Sequence, residues 1–113
     1  MSVTIVNDYR LKTGADKDAA MAAAAELVRD FIDHQPGVQL SLWLEDRNEP
    51  LHHFHITIFD DQQAVDKVRA SEGIARFVER FYPHMDQSTH LAPTCAVWLL
   101  DGHGVKKVPF EDA

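Results

Sequence analysis

The sequence predicts an α+β fold in which one antiparallel sheet of four strands carries two helices on one of its faces. Two segments alternate apolar and polar residues with the period of a strand. Two longer segments repeat apolar residues at helical spacing, and a β-rich segment stands towards each end. The predicted elements, in order, are residues 3–11, 16–35, 39–46, 51–59, 62–82 and 94–100. This β-α-β-β-α-β order is the ferredoxin-like arrangement.

The first strand is predicted from its alternating side chains, and the first helix from the residues that begin and end it. One face of the strand carries Val3, Ile5, Asn7, Tyr9 and Leu11. The helix begins with Thr13 or Asp16 as its N-cap and ends at Pro36-Gly37. Its Ala-rich residues 22–25 favour helix and allow close approach to a sheet.

The second and third strands are predicted to form a hairpin, because turn-forming residues 47–50 (RNEP) separate them. Burial of one face fixes the register. Matching apolar with apolar residues pairs Leu44 with Phe54, Leu42 with Ile56, and Leu40 with Ile58. The same register places Glu45 opposite His53, Trp43 opposite His55, and Ser41 opposite Thr57.

The second helix is expected to begin at about Gln62, after the capping pair Asp60-Asp61. A glycine inside a helix is unfavourable, so we expect a kink or break near Gly73. Pro83 ends the helix. Residues 85–93 are interpreted as a polar connection, and residues 94–100 as the last strand.

Composition restricts the class of protein. A chain of 113 residues is expected to form one domain over residues 1–113. The net charge of -7 argues against nucleic acid and anionic membranes as partners. The single Cys95 excludes an intrachain disulfide and fits a reducing cytoplasm. We expect neither a secretory signal nor a membrane-spanning helix.

Two imidazoles on one strand face are the most distinctive pattern in the chain. His53 and His55 lie two residues apart, so they project from the same face, and either is a candidate catalytic base. Alternatively, both pack in an interface with Glu45 as a partner, or both join Glu45 in a metal-binding N2O set. No metal motif of standard spacing is present, so neither a metal nor a cofactor is predicted. His52 is expected to be exposed at the start of the strand.

Asn7, Tyr9 and Trp43 are the candidate substrate-binding residues. They share strand faces with the two histidines, and we predict that all five side chains line one pocket on the sheet face away from the helices. The alternative is that Tyr9 and Trp43 are interface aromatics and Asn7 is a hydrogen-bonded structural amide. His84 and His90 are interpreted as solvated residues of the connection. Because two helices cover only one face, the other face is predicted to pack against a second copy in a homodimer.

The chain resembles the antibiotic biosynthesis monooxygenase family of the dimeric α+β barrel superfamily. The resemblance extends over residues 3–100 and is based on element order and on a local pattern. In the family, an acidic helix start leads to a Ser-containing break and a short aromatic helix. Here residues 59–65 (FDDQQAV) and 69–77 (RASEGIARF) follow that pattern.

The resemblance implies a dimeric α+β barrel and a cofactor-independent monooxygenase acting on an aromatic or phenol-like substrate. The haem-degrading branch uses an Asn on the first strand, matched by Asn7, and a Trp and a His on the second helix. Residues 68–70 (VRA) and 77–78 (FV) lack both. Because some members have no established activity, the alternative is a non-catalytic homodimer that binds a small ligand or has a structural role.

Overall fold

The sheet and its topology agree with the predicted fold class. The computed structural model describes residues 2–91, 97–101 and 104–108, with side chains over residues 2–90. Four antiparallel strands form the main sheet in the order β2-β3-β1-β4. They are β1 (Val3–Leu11), β2 (Val38–Glu45), β3 (His52–Phe59) and β4 (Met85–Leu91). The predicted ferredoxin-like α+β fold is confirmed.

The first helix has the predicted ends. Helix α1 (Lys17–Ala25) begins at Asp16, whose carboxylate accepts a hydrogen bond from the Ala19 N–H at 3.1 Å. The chain continues through a π-helical turn (Glu26–Phe31) and a short 3₁₀ turn (Ile32–His34).

The second helical segment is broken where the glycine predicted a break. Helix α2 (Gln62–Arg69) ends before Ser71, and Ser71 caps helix α3 (Glu72–Phe81) by accepting from the Ile74 N–H. A Cβ atom at Gly73 would lie 2.5 Å from the Phe31 ring, so this position has room only for glycine.

The β2–β3 hairpin has the predicted register. Leu44 pairs with Phe54, Trp43 with His55, and Glu45 with His53. The remaining predicted pairs, Leu42 with Ile56, Leu40 with Ile58 and Ser41 with Thr57, are also present. Alternation therefore sufficed to determine which side chains share a face.

The position of the fourth strand was predicted incorrectly. Residues 85–91, interpreted as a connection, form β4 and pair with β1. Residues 97–101 instead belong to a separate two-stranded sheet of β5 (Val97–Asp101) and β6 (Gly104–Val108). Residues 94–96, which include Cys95, lie outside the described residues. None of the described helices is long and apolar enough to cross a membrane.

The helices cover the opposite face from the one predicted. Phe81, which is fully buried, packs edge-on against Tyr9 and Trp43, with ring centroids 5.2 and 5.4 Å apart. The face that carries Tyr9, Trp43, His53 and His55 is therefore the helix-covered face. The predicted placement of these residues away from the helices is wrong, because α3 supplies the aromatic partners that bury them.

The other sheet face is open along β2 and the middle of β3 in the single chain, whereas Thr4 and Ile58 on the same face are buried. Leu42 and Leu44 are more than 40% exposed, and Phe54 and Ile56 beside them are only half-buried. We call these four residues the open apolar face. His52, predicted to be exposed, is buried on this side.

Candidate functional site

A cavity of about 290 Å³ lies between the sheet and the helices. Its apolar walls come from β1, β3, α2, α3 and the helical turns after α1, and they include Ile5, Leu27, Ile32, Phe59, Val65, Val68, Ile74 and Phe77. Its polar lining comes from Asn7, Tyr9, His55, Thr57, Arg69, Tyr82, Ser88 and His90. A largely apolar cavity with a few polar groups is typical of a small-molecule site.

The strand register places the polar residues in rows across the sheet. Asn7 on β1 lies between His55 on β3 and His90 on β4. In the next row, Tyr9 lies between His53 and Ser88. The Asn7 amide makes no side-chain hydrogen bond with residues 2–91, so its donors and its acceptor are available to a ligand in the cavity.

His55 is a neutral imidazole at the inner end of its row. Its Nε2 lies 2.8 Å from Ser41 Oγ and 3.1 Å from Thr57 Oγ1. Burial lowers the pKa of His55 to about 4. The Nδ1 atom has no hydrogen-bond partner among the described side chains, which leaves it as the nitrogen that can meet a ligand.

His53 is held by neighbours at both ring nitrogens. Its Nδ1 accepts a hydrogen bond from Trp43 Nε1 at 3.1 Å, and its Nε2 donates to the Pro50 carbonyl oxygen at 3.0 Å. These bonds define a neutral tautomer. Burial lowers the pKa of His53, although the Pro50 carbonyl and Glu45, 3.8 Å away, act in the opposite direction. This geometry is that of a structural histidine.

An aromatic cluster forms one wall of the cavity and supports it from behind. Tyr9 and Trp43 stack with ring centroids 5.5 Å apart, and Phe77 and Phe81 stack at 4.8 Å. The Trp43 ring also lies 5.5 Å from the His55 ring. Burial raises the pKa of Tyr9 well above its usual range, so its hydroxyl keeps its proton and can donate it in a hydrogen bond.

The polar edge of the cavity is formed by a pair that the sequence analysis did not select. Arg69, at the end of α2, donates a hydrogen bond to His90 Nε2 at 2.7 Å. Partial burial and the Arg69 charge lower the pKa of His90, which favours the neutral ring that this bond requires. His90, interpreted as a solvated loop residue, is exposed as expected but lies on strand β4.

Three of the five predicted site residues line the cavity and two do not. Asn7, Tyr9 and His55 contribute to its lining. Trp43 and His53 lie behind it, where Trp43 packs on Tyr9 and His55 and donates to His53. The catalytic and binding roles of all five stay predictions.

The cavity combines groups suited to an aromatic ligand that carries oxygen. Its phenyl and aliphatic walls match an apolar ring, while Asn7, Tyr9 and His55 offer hydrogen bonds without charge. Arg69 offers a permanent positive charge at one edge. Among the described residues, the group of side chains that converges as metal ligands (Asp46, Glu49 and His52) contributes none of its members to this lining.

Comparison with known proteins agrees with this architecture. Three solved structures superimpose on the chain at low identity. An antibiotic biosynthesis monooxygenase is 20% identical, with a TM-score of 0.75, over 82% of this chain and 97% of that one. SnoaB, a cofactor-independent oxygenase from Streptomyces nogalater, is 20% identical, with a TM-score of 0.73, over 83% and 92%. Protein SO0527 from Shewanella oneidensis is 22% identical, with a TM-score of 0.74, over 81% and 88%.

The family assignment follows from sequence. No curated protein matches the chain significantly. The family model for antibiotic biosynthesis monooxygenase, however, matches residues 2–80, which is more than half of the chain. The matched region includes β1 to β3 and nearly all of α3. The chain therefore belongs to the antibiotic biosynthesis monooxygenase family.

Proposed function

We propose that this protein is a cofactor-independent monooxygenase that oxidises an aromatic, phenol-like substrate in the cavity between the sheet and the helices. Family membership and the fold shared with SnoaB support an oxygenase. The observation that carries the proposal is the cavity itself, where Asn7, His55 and His90 form one polar row beside apolar walls.

The proposed reaction needs only the phenol and molecular oxygen. The substrate loses its hydroxyl proton, and the phenolate supplies electrons to oxygen. One oxygen atom bonds to a ring carbon, which loses its hydrogen, and the other oxygen atom leaves as water. The product is a quinone, so phenol plus oxygen gives quinone plus water, with atoms and electrons balanced.

His55 is proposed to bind the substrate hydroxyl rather than to keep its proton. The pKa of His55 is about 4, whereas a phenol has a pKa of about 10. This gap of about 6 units corresponds to about 8 kcal/mol against complete proton transfer. A hydrogen bond to Nδ1, supported by the Asn7 amide, orients the ring without that cost.

Arg69 is proposed to stabilise the phenolate. A guanidinium is always charged, and a neighbouring positive charge lowers the pKa of a phenol. His90 accepts from Arg69 and so holds the guanidinium at the cavity edge. The proton then passes to solvent. His53 acts as a positioning residue, because it fixes Trp43 through a hydrogen bond.

A homodimer is proposed to form through the open apolar face. Leu42 and Leu44 are exposed next to Phe54 and Ile56, which is a surface that favours packing on a second copy. This differs from the original expectation, in which the face with Trp43 formed the interface. Family resemblance supports dimerisation, and this face supplies the apolar contact area.

The proposed reaction is tested by oxygen uptake and quinone absorbance. The assay uses naphthols, dihydroxynaphthalenes and hydroxyanthracenes, with chelator present and no flavin added. We expect turnover by the wild type. Arg69→Gln should lower kcat/KM by about 100-fold and move the pH profile towards alkaline values, because the phenolate loses its counter-charge. Arg29→Gln, at an exposed arginine remote from the cavity lining, is the matched control.

Binding without turnover gives the alternative function. If these phenols bind in the cavity with no oxygen uptake, the oxygenase proposal fails and a ligand-binding dimer takes its place. If His55→Asn and Asn7→Ala keep full turnover, the proposed row is not the site.

A further inference from the structure

A second polar cluster lies at the turn between β2 and β3. Asp46, Glu49 and His52 each offer one ligand atom, and these atoms all lie within 4.8 Å of one another. The His52 side chain is only 10% exposed, whereas the two acidic side chains reach solvent. Because neighbouring strand residues alternate, His52 faces away from the side of the sheet that carries His53, His55 and the cavity.

The hydrogen bonding of His52 leaves one ring nitrogen without a partner. Nε2 lies 2.6 Å from Asp8 Oδ1. A carboxylate only accepts, so Nε2 carries the proton and donates it. The Nδ1 atom is buried and has no hydrogen-bond partner among the described residues. It points towards Asp46 Oδ2 at 3.4 Å and Glu49 Oε2 at 3.5 Å.

These distances are too long for hydrogen bonds from a protonated Nδ1, which would be about 2.8 Å. They fit two edges of a tetrahedral coordination shell. Bonds of about 2.0–2.2 Å from a zinc ion to nitrogen and oxygen ligands give ligand–ligand separations of about 3.4 Å. The spacing therefore leaves room for an ion between Nδ1 and the two carboxylates.

Charge supports a cation at this point. A nitrogen lone pair that faces two carboxylate oxygens is repelled unless a positive charge lies between them. Arg10 approaches Glu49 Oε2 at 3.0 Å and offsets only part of the negative charge, since Asp8 and Asp46 remain. Either a proton on Nδ1 or a metal ion supplies that charge, and the distances of 3.4 and 3.5 Å favour the metal ion.

The turn holds the ligands in place. The Asn48 N–H donates to Asp46 Oδ1 at 2.8 Å, which leaves Oδ2 directed at His52. Asp46 N–H also donates to the His52 carbonyl, and His52 N–H donates to the Glu49 carbonyl.

We propose that His52 Nδ1, Asp46 and Glu49 form a binding site for one divalent transition-metal ion, with zinc as the best match. One imidazole and two carboxylates suit zinc, and water completes four-coordination. Asp8 orients the imidazole from the second ring nitrogen, as carboxylates commonly do for zinc-bound histidines. The residues are spaced Asp-x2-Glu-x2-His, which is not a standard metal motif, and they converge only when the turn folds.

Zinc titration of the tag-free full chain tests the site. Calorimetry at neutral pH should give one zinc ion per chain. A long-range proton–nitrogen NMR spectrum should show zinc moving the Nδ1 resonance of His52 while Nε2 stays protonated. This readout separates His52 from the other histidines of the chain and does not depend on any enzymatic activity.

Variants at the surface carboxylates keep the test independent of folding. Asp46→Asn and Glu49→Gln should each weaken zinc binding by about tenfold or more, and Asp8→Asn by about 10- to 100-fold. Asp33→Asn and Glu79→Gln, at exposed acidic residues outside the cluster, should leave it unchanged. The proposal would be overturned if zinc bound without shifting the Nδ1 resonance of His52. It would also be overturned if the His52 ring carried protons on both nitrogens at neutral pH in the presence of zinc. The cluster would then be an ion pair.

Discussion

The two faces of the main sheet differ in what covers them and in what their polar residues do. On the helix-covered face, Tyr9 and Trp43 are packed beneath Phe77 and Phe81, and the polar groups either satisfy one another or line the cavity. On the other face, Leu42 and Leu44 are exposed. Consecutive histidines on β3 follow this division, with His53 bonded to Trp43 on one side and His52 bonded to Asp8 on the other.

This difference shows that a strand can be apolar on both faces for two separate reasons. The helix-covered face is apolar because it packs in the core of one chain. The open apolar face is apolar because, in the proposed homodimer, it packs against a second copy of the chain. Burial on the first face should therefore determine folding stability, while exposure on the second should determine association.

Removal of the Phe81 ring should have the largest effect on the helix-covered face. Phe81→Ala deletes a fully buried ring that contacts Tyr9, Trp43 and Phe77. We expect a loss of about 3–5 kcal/mol in the free energy of unfolding, measured by urea denaturation. Val78→Ala, at a side chain 37% exposed on the same helix, is the control and should lose far less. Equal losses would mean that α3 does not cover this face as described.

Acid should destabilise the protein through His55. Burial lowers the pKa of His55 from its ordinary 6.5 to about 4 in the folded state. Between these values the unfolded chain binds more protons, so stability is complete above pH 6.5 and falls as the pH drops to about 4. The shift corresponds to about 3 kcal/mol.

The matched variant is His55→Gln, which keeps a polar side chain beside Ser41 and has no proton to gain. Urea denaturation at several pH values should show a shallower slope in this window than for the wild type. A residual slope is expected, because burial also lowers the pKa of His53. Identical slopes would contradict a neutral, buried His55.

Loss of the Trp43 indole N–H should have an intermediate effect. Trp43→Phe leaves the buried Nδ1 of His53 without its donor, and we expect a loss of about 1–3 kcal/mol in the free energy of unfolding. The nitrogen NMR shift of His53 Nδ1 should change as well. Tyr82→Phe, which removes a hydroxyl from a side chain 39% exposed, should change stability by less. An unmoved His53 signal would exclude this hydrogen bond.

A charge introduced on the open apolar face should have the smallest effect, because it should weaken association of the dimer and leave the folding stability of the single chain unchanged. Leu44→Asp should raise the dimer dissociation constant by about tenfold or more, or about 1.4 kcal/mol, because it places a carboxylate in an apolar contact. Sedimentation equilibrium measures this change. Gln63→Asp, at an exposed helix position, is the control. A wild type that remains monomeric at micromolar concentration would refute the proposed interface.

Sequence by itself determined the features that depend on the chemistry of single side chains or on the alternation of residues along a strand. Asp16 and Asp61, both among the predicted caps, begin their helices because their side chains accept backbone hydrogen bonds. The β2–β3 register followed from alternation, since a slip of one residue would exchange the two faces. Alternation also grouped Trp43 with His53 and His55 correctly.

Only the tertiary structure decided which face the helices cover. Alternation states which residues lie together, and it does not state on which side the helices pack, because both faces carry large apolar side chains. β4 escaped prediction for a related reason. It is an edge strand whose side chains at residues 86–90 are all exposed, so no buried face imposes a period of two on its sequence. The Arg69–His90 contact and the Asp8–His52 contact each join residues from distant segments, and no spacing along the chain predicts such contacts.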